Sequence, residues 1–220
     1  MNSNLLFDIS SIFSAIPFFV SIYILWKFLK NEEYSRGILK NILTGMIIGL
    51  ISGLIFVMIS SGVYPFMDLS IIFIIIFPIY LEILKFIIYQ RKKYWGKIET
   101  VFYGYGLGSG LGTTFSVSLL YYYFYIHNNI NFFDYIGLLI FSFSLVFINV
   151  STTTLISYGI CRKNRKITED SIMIMILYFI TLLPYIWGFE TYYFSWNIIY
   201  VIPFYYVSIK KMGECIYEKI

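Results

Sequence analysis

Charge, histidine, cysteine and alanine are all scarce in this 220-residue chain. Lys, Arg, Asp and Glu together make up 13% of it, about half of the roughly 25% that soluble domains carry. That deficit, with 59% hydrophobic residues and a mean hydropathy of +0.77, excludes both a soluble enzyme and a disordered chain. Sixteen basic residues against twelve acidic ones leave a net charge of +4, too little in so apolar a chain to suggest a nucleic-acid partner. The single histidine, His127, and the two cysteines, Cys161 and Cys215, fit no metal-ligand spacing, so neither a metal nor a cofactor is expected. No Lys or Arg precedes Lys27. Without the charged start of a signal peptide, the first apolar segment is expected to be retained.

What the chain does have is apolar runs long enough to cross a bilayer. Seven of them, at roughly 9–29, 41–62, 69–90, 100–126, 133–160, 171–189 and 192–209, predict an all-α, polytopic membrane bundle forming one domain over residues 1–220. The basic residues flank alternate connections. Lys27, Lys30, Arg36 and Lys40 lie around the first; Lys85, Arg91, Lys92, Lys93 and Lys97 in or beside the third; Arg162, Lys163, Arg165 and Lys166 in the fifth; Lys210, Lys211 and Lys219 in the tail. That accounts for every Lys and Arg, while the second, fourth and sixth connections carry Asp68, Asp134 and Glu190. The asymmetry predicts a multi-pass cell-membrane protein with its N-terminus outside and its C-terminus in the cytoplasm. Both cysteines then fall at cytoplasmic ends, where thiols stay reduced, and no disulfide is expected.

Two spans hold the residues of chemical interest. The third reads Phe77-Pro78-Ile79-Tyr80-Leu81-Glu82-Ile83-Leu84-Lys85, and Glu82 is the only acid well inside an apolar run. It lies about eight residues, or roughly 12 Å, from the cytoplasmic end at Gln90. A carboxylate at that depth must be paired, hydrated or protonated, and such acids read by default as functional. Lys85, three residues on, shares its helix face. Pro78 removes the hydrogen bond to the Ile74 carbonyl and is expected to bend the helix before Glu82. A purely architectural reading, in which the Glu–Lys pair ties the bundle together, stands beside the functional one.

The fourth span places Gly104, Gly108 and Gly112 on one stripe, and Gly106 and Gly110 on a second stripe turned about 200° away. Two smooth faces predict close helix packing on both sides. On the fifth span, Ser142, Asn149, Thr153 and Ser157 fall on one face. Asn149 cannot satisfy itself fully on its own backbone, so it is expected to point into the bundle. His127 reads as a surface residue of an outer loop.

A Glu-containing span ending in a basic run, followed by a Tyr-Gly-x-x-x-Gly-x-Gly span, resembles the glutamic intramembrane protease superfamily. That superfamily includes PrsW-type and YhfC-type proteins, the CAAX prenyl endopeptidases, and the proteolytically inactive anterior-pharynx-defective subunit of gamma-secretase. The similarity is best over residues 72–120 and extends through 166. Against the PrsW-type signature Glu-Glu-x-x-Lys the chain reads Leu81-Glu82-Ile83-Leu84-Lys85, matching the second Glu and the Lys but not the first Glu. Gly104, Gly108 and Gly112 reproduce the Gly-x-x-x-Gly-x-x-x-Gly span of the gamma-secretase subunit. The resemblance implies Glu82 as a base that deprotonates water, assisted by Lys85, and Asn149 as an oxyanion donor. The histidines of active members are missing; Thr114, Phe115 and Ser118 stand in the following span, where an active member has a second acid or histidine.

Three functions are therefore open. The favoured one is a degenerate, non-catalytic member that binds other transmembrane helices as a scaffold. The alternatives are a PrsW/YhfC-like endopeptidase using Glu82, and a small transporter in which Glu82 is a proton or cation site. The expected partners are the lipid bilayer and other transmembrane segments.

Overall fold

A computed structural model of the chain describes residues 3–29, 35–63, 67–127, 131–182 and 196–217. Among them are seven α-helices and no strand: α1 (Ser3–Phe28), α2 (Ser35–Val63), α3 (Met67–Tyr89), α4 (Glu99–Ile126), α5 (Phe132–Cys161), α6 (Arg165–Ile180) and α7 (Asn197–Tyr217), with a short 3-10 turn at Lys92–Tyr94 between α3 and α4. Several helices outrun the apolar segments that announce them. Backbone hydrogen bonding continues into polar flanks such as Ser35–Lys40 and Arg165–Asp170, which hydropathy alone leaves out. Lys30, Glu190, Lys219 and residues 183–195 of the sixth and seventh expected spans lie outside the described residues.

Four helices are long and apolar enough to cross a membrane: α1 over Leu5–Phe28, α2 over Ser35–Gly62, α3 over Ile71–Tyr89 and α5 over Phe132–Cys161. The other three fall short on that criterion for separate reasons. α4 has 28 residues, but Gly, Ser and Tyr dilute its hydropathy. α6 is described over 16 residues, about 24 Å. α7 carries Lys210, Lys211 and Glu214.

Helix α4 sits at the centre, packed on α1, α2 and α5, while α5 also contacts α3, α6 and α7. Its two glycine stripes face different neighbours. A methyl group at Gly108 would stand 2.5 Å from the Asn149 carbonyl oxygen, and one at Gly112 would stand 2.7 Å from the Val146 Cα, both on α5. Gly104 abuts Ser157 and Thr153 of the same helix. On the opposite stripe, Gly106 faces Ile38 and Ile42, and Gly110 lies against the Ile42 carbonyl and the Met46 nitrogen of α2. α2 answers with glycines of its own: Gly45 and Gly49 rest on the Leu107 and Leu111 carbonyls, and Gly53 on Ser118. Backbone meets backbone on both sides, the arrangement that small residues permit in a bilayer.

The interior is unusually polar for a protein core. Ser14, Ser116 and Ser142 form a chain of hydroxyls at 3.0 Å steps linking α1, α4 and α5. Ser142 then donates to the Phe13 carbonyl at 3.0 Å, the group freed because Pro17 supplies no N–H four residues later. Farther along α1, Tyr105 donates to the Ser21 carbonyl at 3.1 Å and lies 2.5 Å from the Tyr205 hydroxyl. Apolar packing concentrates where Phe56, Phe77, Phe115 and Phe179 bring α2, α3, α4 and α6 together, with ring centroids 5.0–6.2 Å apart. The outside reverses the pattern. α2 exposes Leu39, Leu43, Ile47, Leu50, Leu54 and Met58 along one face, and α3 exposes Ile72, Ile76, Ile83 and Ile87.

Residues of the connections that flank the basic runs share one end of the bundle. Tyr94 of the α3–α4 connection packs on Tyr103, which abuts Gly37 at the start of α2. Tyr158 near the end of α5 donates to Glu214 of α7 at 3.2 Å, and Lys211 donates to the same carboxylate at 2.8 Å. That hydrogen bond from Lys211 lowers the Glu214 pKa below the ordinary carboxylate value. Cys161 and Cys215 are free, buried thiols. At the far end of α4, His127 is half-buried, its ring stacked 4.1 Å from that of Tyr123.

The close approach at Gly108 predicts that Gly108→Leu lowers stability by about 1–3 kcal/mol or more. Gly62→Leu, where nothing lies within 4 Å, should leave it unchanged. Melting temperatures in detergent compare the two.

Candidate functional site

Helix α3 brings Glu82 and Lys85 onto one face, and both side chains are fully buried. Lys85 Nζ lies 2.6 Å from Glu82 Oε1 and donates a second hydrogen bond to Thr152 Oγ1 of α5 at 2.8 Å. Ser171 of α6 closes the other side. Its hydroxyl lies 3.2 Å from Glu82 Oε2 and 3.0 Å from the Thr152 carbonyl oxygen, so one proton is shared between two acceptors. The same three helices contribute Leu81, Ile148, Ile156 and Met175 to the main apolar core. The site is thus an ion pair and two hydroxyls, drawn from α3, α5 and α6 and enclosed by apolar side chains.

A carboxylate taken out of water alone costs several kcal/mol; paired and hydrogen-bonded, it is tolerated. Here each carboxylate oxygen has a protein donor. A water poised for deprotonation would have to displace Lys85 or Ser171, or enter between them.

Asn149 is also fully buried but belongs to a different environment. Its amide donates to the Leu145 carbonyl of its own helix at 2.9 Å, and its Oδ1 has no hydrogen-bond partner. Among the described residues no hydrogen bond joins Asn149 to Glu82 or Lys85. One of the two amide N–H donors that an oxyanion could use is therefore engaged along α5. The glycines Gly104, Gly106, Gly108, Gly110 and Gly112 lie on α4 against α5 and α2, as described above.

Thr152 and Ser171 are the partners that sequence reasoning left out. The signal was the unbroken run Ser151-Thr152-Thr153-Thr154, which points hydroxyls in four directions about 100° apart around α5. Whichever neighbour carries a buried cation finds an acceptor there. Ser151, Thr153 and Thr154 donate to carbonyls of α5 itself, while Thr152 meets Lys85.

Thr152→Val should leave one ammonium proton of Lys85 without its acceptor and cost about 1–3 kcal/mol. Ser151→Ala, which removes a bond within α5 alone, should cost less. Unfolding titrations in mixed micelles would read the difference, and equal losses would discount the Thr152 contact. No protein-family model, curated protein or solved structure matches the chain.

Proposed function

We propose that the chain is a multi-pass cell-membrane protein whose seven helices all cross the bilayer, N-terminus outside and C-terminus in the cytoplasm. Within that frame we read it as a non-catalytic relative of the glutamic intramembrane proteases that holds other transmembrane segments as a scaffold. The observation that carries the non-catalytic reading is the enclosure of Glu82, whose two oxygens face Lys85 and Ser171. The absence of any histidine but His127, at the end of α4, supports it. Support for seven spans comes from the charge asymmetry and from the position of α4, which is flanked by α1, α2 and α5 and so needs little hydropathy of its own. With both glycine faces of α4 occupied within the chain, partner helices meet the outer apolar faces of α1, α2 and α3.

Two substitutions separate scaffold from enzyme. Glu82→Gln leaves a buried lysine without its counter-charge and should destabilise the fold by about 3–5 kcal/mol. Replacing both partners, Glu82→Gln with Lys85→Met, should recover most of that loss. Neither variant nor the wild type should cleave a membrane-anchored substrate in reconstituted vesicles. Cleavage by the wild type that both variants lose would establish Glu82 as a catalytic base instead.

Orientation is tested with a membrane-impermeant maleimide on intact cells, after Cys161 and Cys215 are changed to Ser. A cysteine introduced at Ser3 should label before lysis, and one at Lys210 only afterwards. The reverse pattern would invert the topology.

A further inference from the structure

A cleft distinct from the buried ion pair opens at the basic end of the bundle, between α3, the α3–α4 connection and the start of α6. It encloses about 670 Å³. Its walls include Ile83 and Phe86 of α3 and Ile172 of α6, and its polar lining includes Lys163, Arg165, Trp95 and one acid, Glu169. Ile83 is 47% exposed, so the apolar wall is continuous with the outer face of α3. The cations lie in the α5–α6 turn and the first turn of α6. The turn itself is fixed: Lys163 has φ 53°, and the Asn164 N–H closes on the Gly159 carbonyl at 2.8 Å. Lys163 has no ion-pair partner among the described residues. Arg165 pairs with Glu169 at 2.9 Å, but both side chains are largely exposed, and such surface pairs are readily exchanged for a better anion. Trp95, also in the lining, donates its indole N–H to the Gln90 carbonyl at 2.9 Å, which suits an aromatic ring at a membrane interface.

We propose that this cleft binds an anionic phospholipid, with the phosphate diester on Lys163 and Arg165 and an acyl chain along Ile83, Phe86 and Ile172. The proposal rests on the membrane-spanning reading given above, with this end at the cytoplasmic leaflet. The change from apolar wall to cationic rim within one cleft is what an amphiphilic anion matches and a free phosphate does not, since a free phosphate leaves the isoleucines uncovered. A second basic cavity, about 500 Å³, is lined by Lys40, Lys93 and Lys97 and also by Glu99. Its other walls, Gly37, Asn41, Tyr94 and Tyr103, offer charge and hydroxyls without an aliphatic track, so it provides the internal control.

The test uses the whole chain in neutral detergent, with bound lipid counted by native mass spectrometry against added phosphatidylglycerol, phosphatidylcholine or glycerol phosphate. Phosphatidylglycerol should bind in preference to phosphatidylcholine, and glycerol phosphate should not displace it. Lys163→Gln with Arg165→Gln should weaken phosphatidylglycerol about fivefold for the one unpaired cation, and up to roughly thirtyfold if both contribute. Lys40→Gln with Lys93→Gln should leave binding unchanged. All four side chains are exposed, so both double variants are expected to fold, and Lys163→Gln alone serves if one does not. Equal loss in both double variants would overturn the proposal in favour of general surface charge. So would equal binding of the two lipids, or displacement by glycerol phosphate. Because orientation is read independently by labelling, a failure here leaves the membrane reading intact.

Discussion

The approach of three backbones, α2 to α4 and α4 to α5, is the constraint on which the rest of this bundle depends. In a bilayer, helices gain little from hiding apolar surface from one another, because lipid is as apolar as leucine. What remains is contact, and contact is densest where no side chain intervenes. Gly108 and Gly112 let α4 lie on the α5 main chain, and Gly45, Gly49 and Gly110 do the same between α2 and α4. Once these three helices are fixed at that spacing, short hydroxyl side chains are the right length to bridge among them and to α1. The Ser14–Ser116–Ser142 chain and the Thr114 bond to the Met46 carbonyl at 2.8 Å are consequences of the close packing.

The polar interior follows from the same constraint. A backbone carbonyl released by proline cannot turn to solvent at lipid depth, so a neighbouring helix must satisfy it. Ser142 does so for the Phe13 carbonyl. Most other serines and threonines of α4 and α5 bond to carbonyls of their own helix, as Thr113 does to Ser109 and Thr154 to Val150. These groups cost little to bury and leave the outer faces to Leu, Ile and Phe. The result differs from a soluble protein on its outside, where aliphatics face outward, while the interior mixes apolar side chains with buried hydroxyls.

Much of this is legible in the sequence, and the parts that are not share a physical cause. The glycine stripes of α4 were readable because a helix has a fixed period, so Gly104, Gly108 and Gly112 must share a face whatever surrounds them. The matching stripe Gly45, Gly49 and Gly53 went unread, since apolar residues on either side made α2 look like an ordinary span. Glu82 and Lys85 were readable as partners because they are three residues apart on one helix. Thr152 and Ser171 were not, because their roles depend on how α5 and α6 are rotated against α3, which no local pattern encodes. Asn149 was expected to face inward and is fully buried, yet its amide turns along its own helix instead of reaching across. The short polar side chain had a carbonyl within reach at Leu145, and that local acceptor competes directly with any interhelical one.

Helix α3 shows what a buried ion pair can contribute to the architecture. It contains no glycine, so its main chain cannot approach a neighbour as α4 does, and side chains must position it. Phe77 holds one part of it in the aromatic cluster shared with α2, α4 and α6. Apolar rings tolerate small rotations and slides, so they set distance better than register. Glu82 and Lys85, about one and two turns further on, supply what the rings lack. A buried charge pair is satisfied in one geometry and heavily penalised outside it, so the contacts to Thr152 and Ser171 fix the rotation of α3 against α5 and α6 together. A Glu-x-x-Lys motif at this depth can therefore serve as a lock, and the same residues could act as a reaction centre where water displaced Lys85 or Ser171 or entered between them.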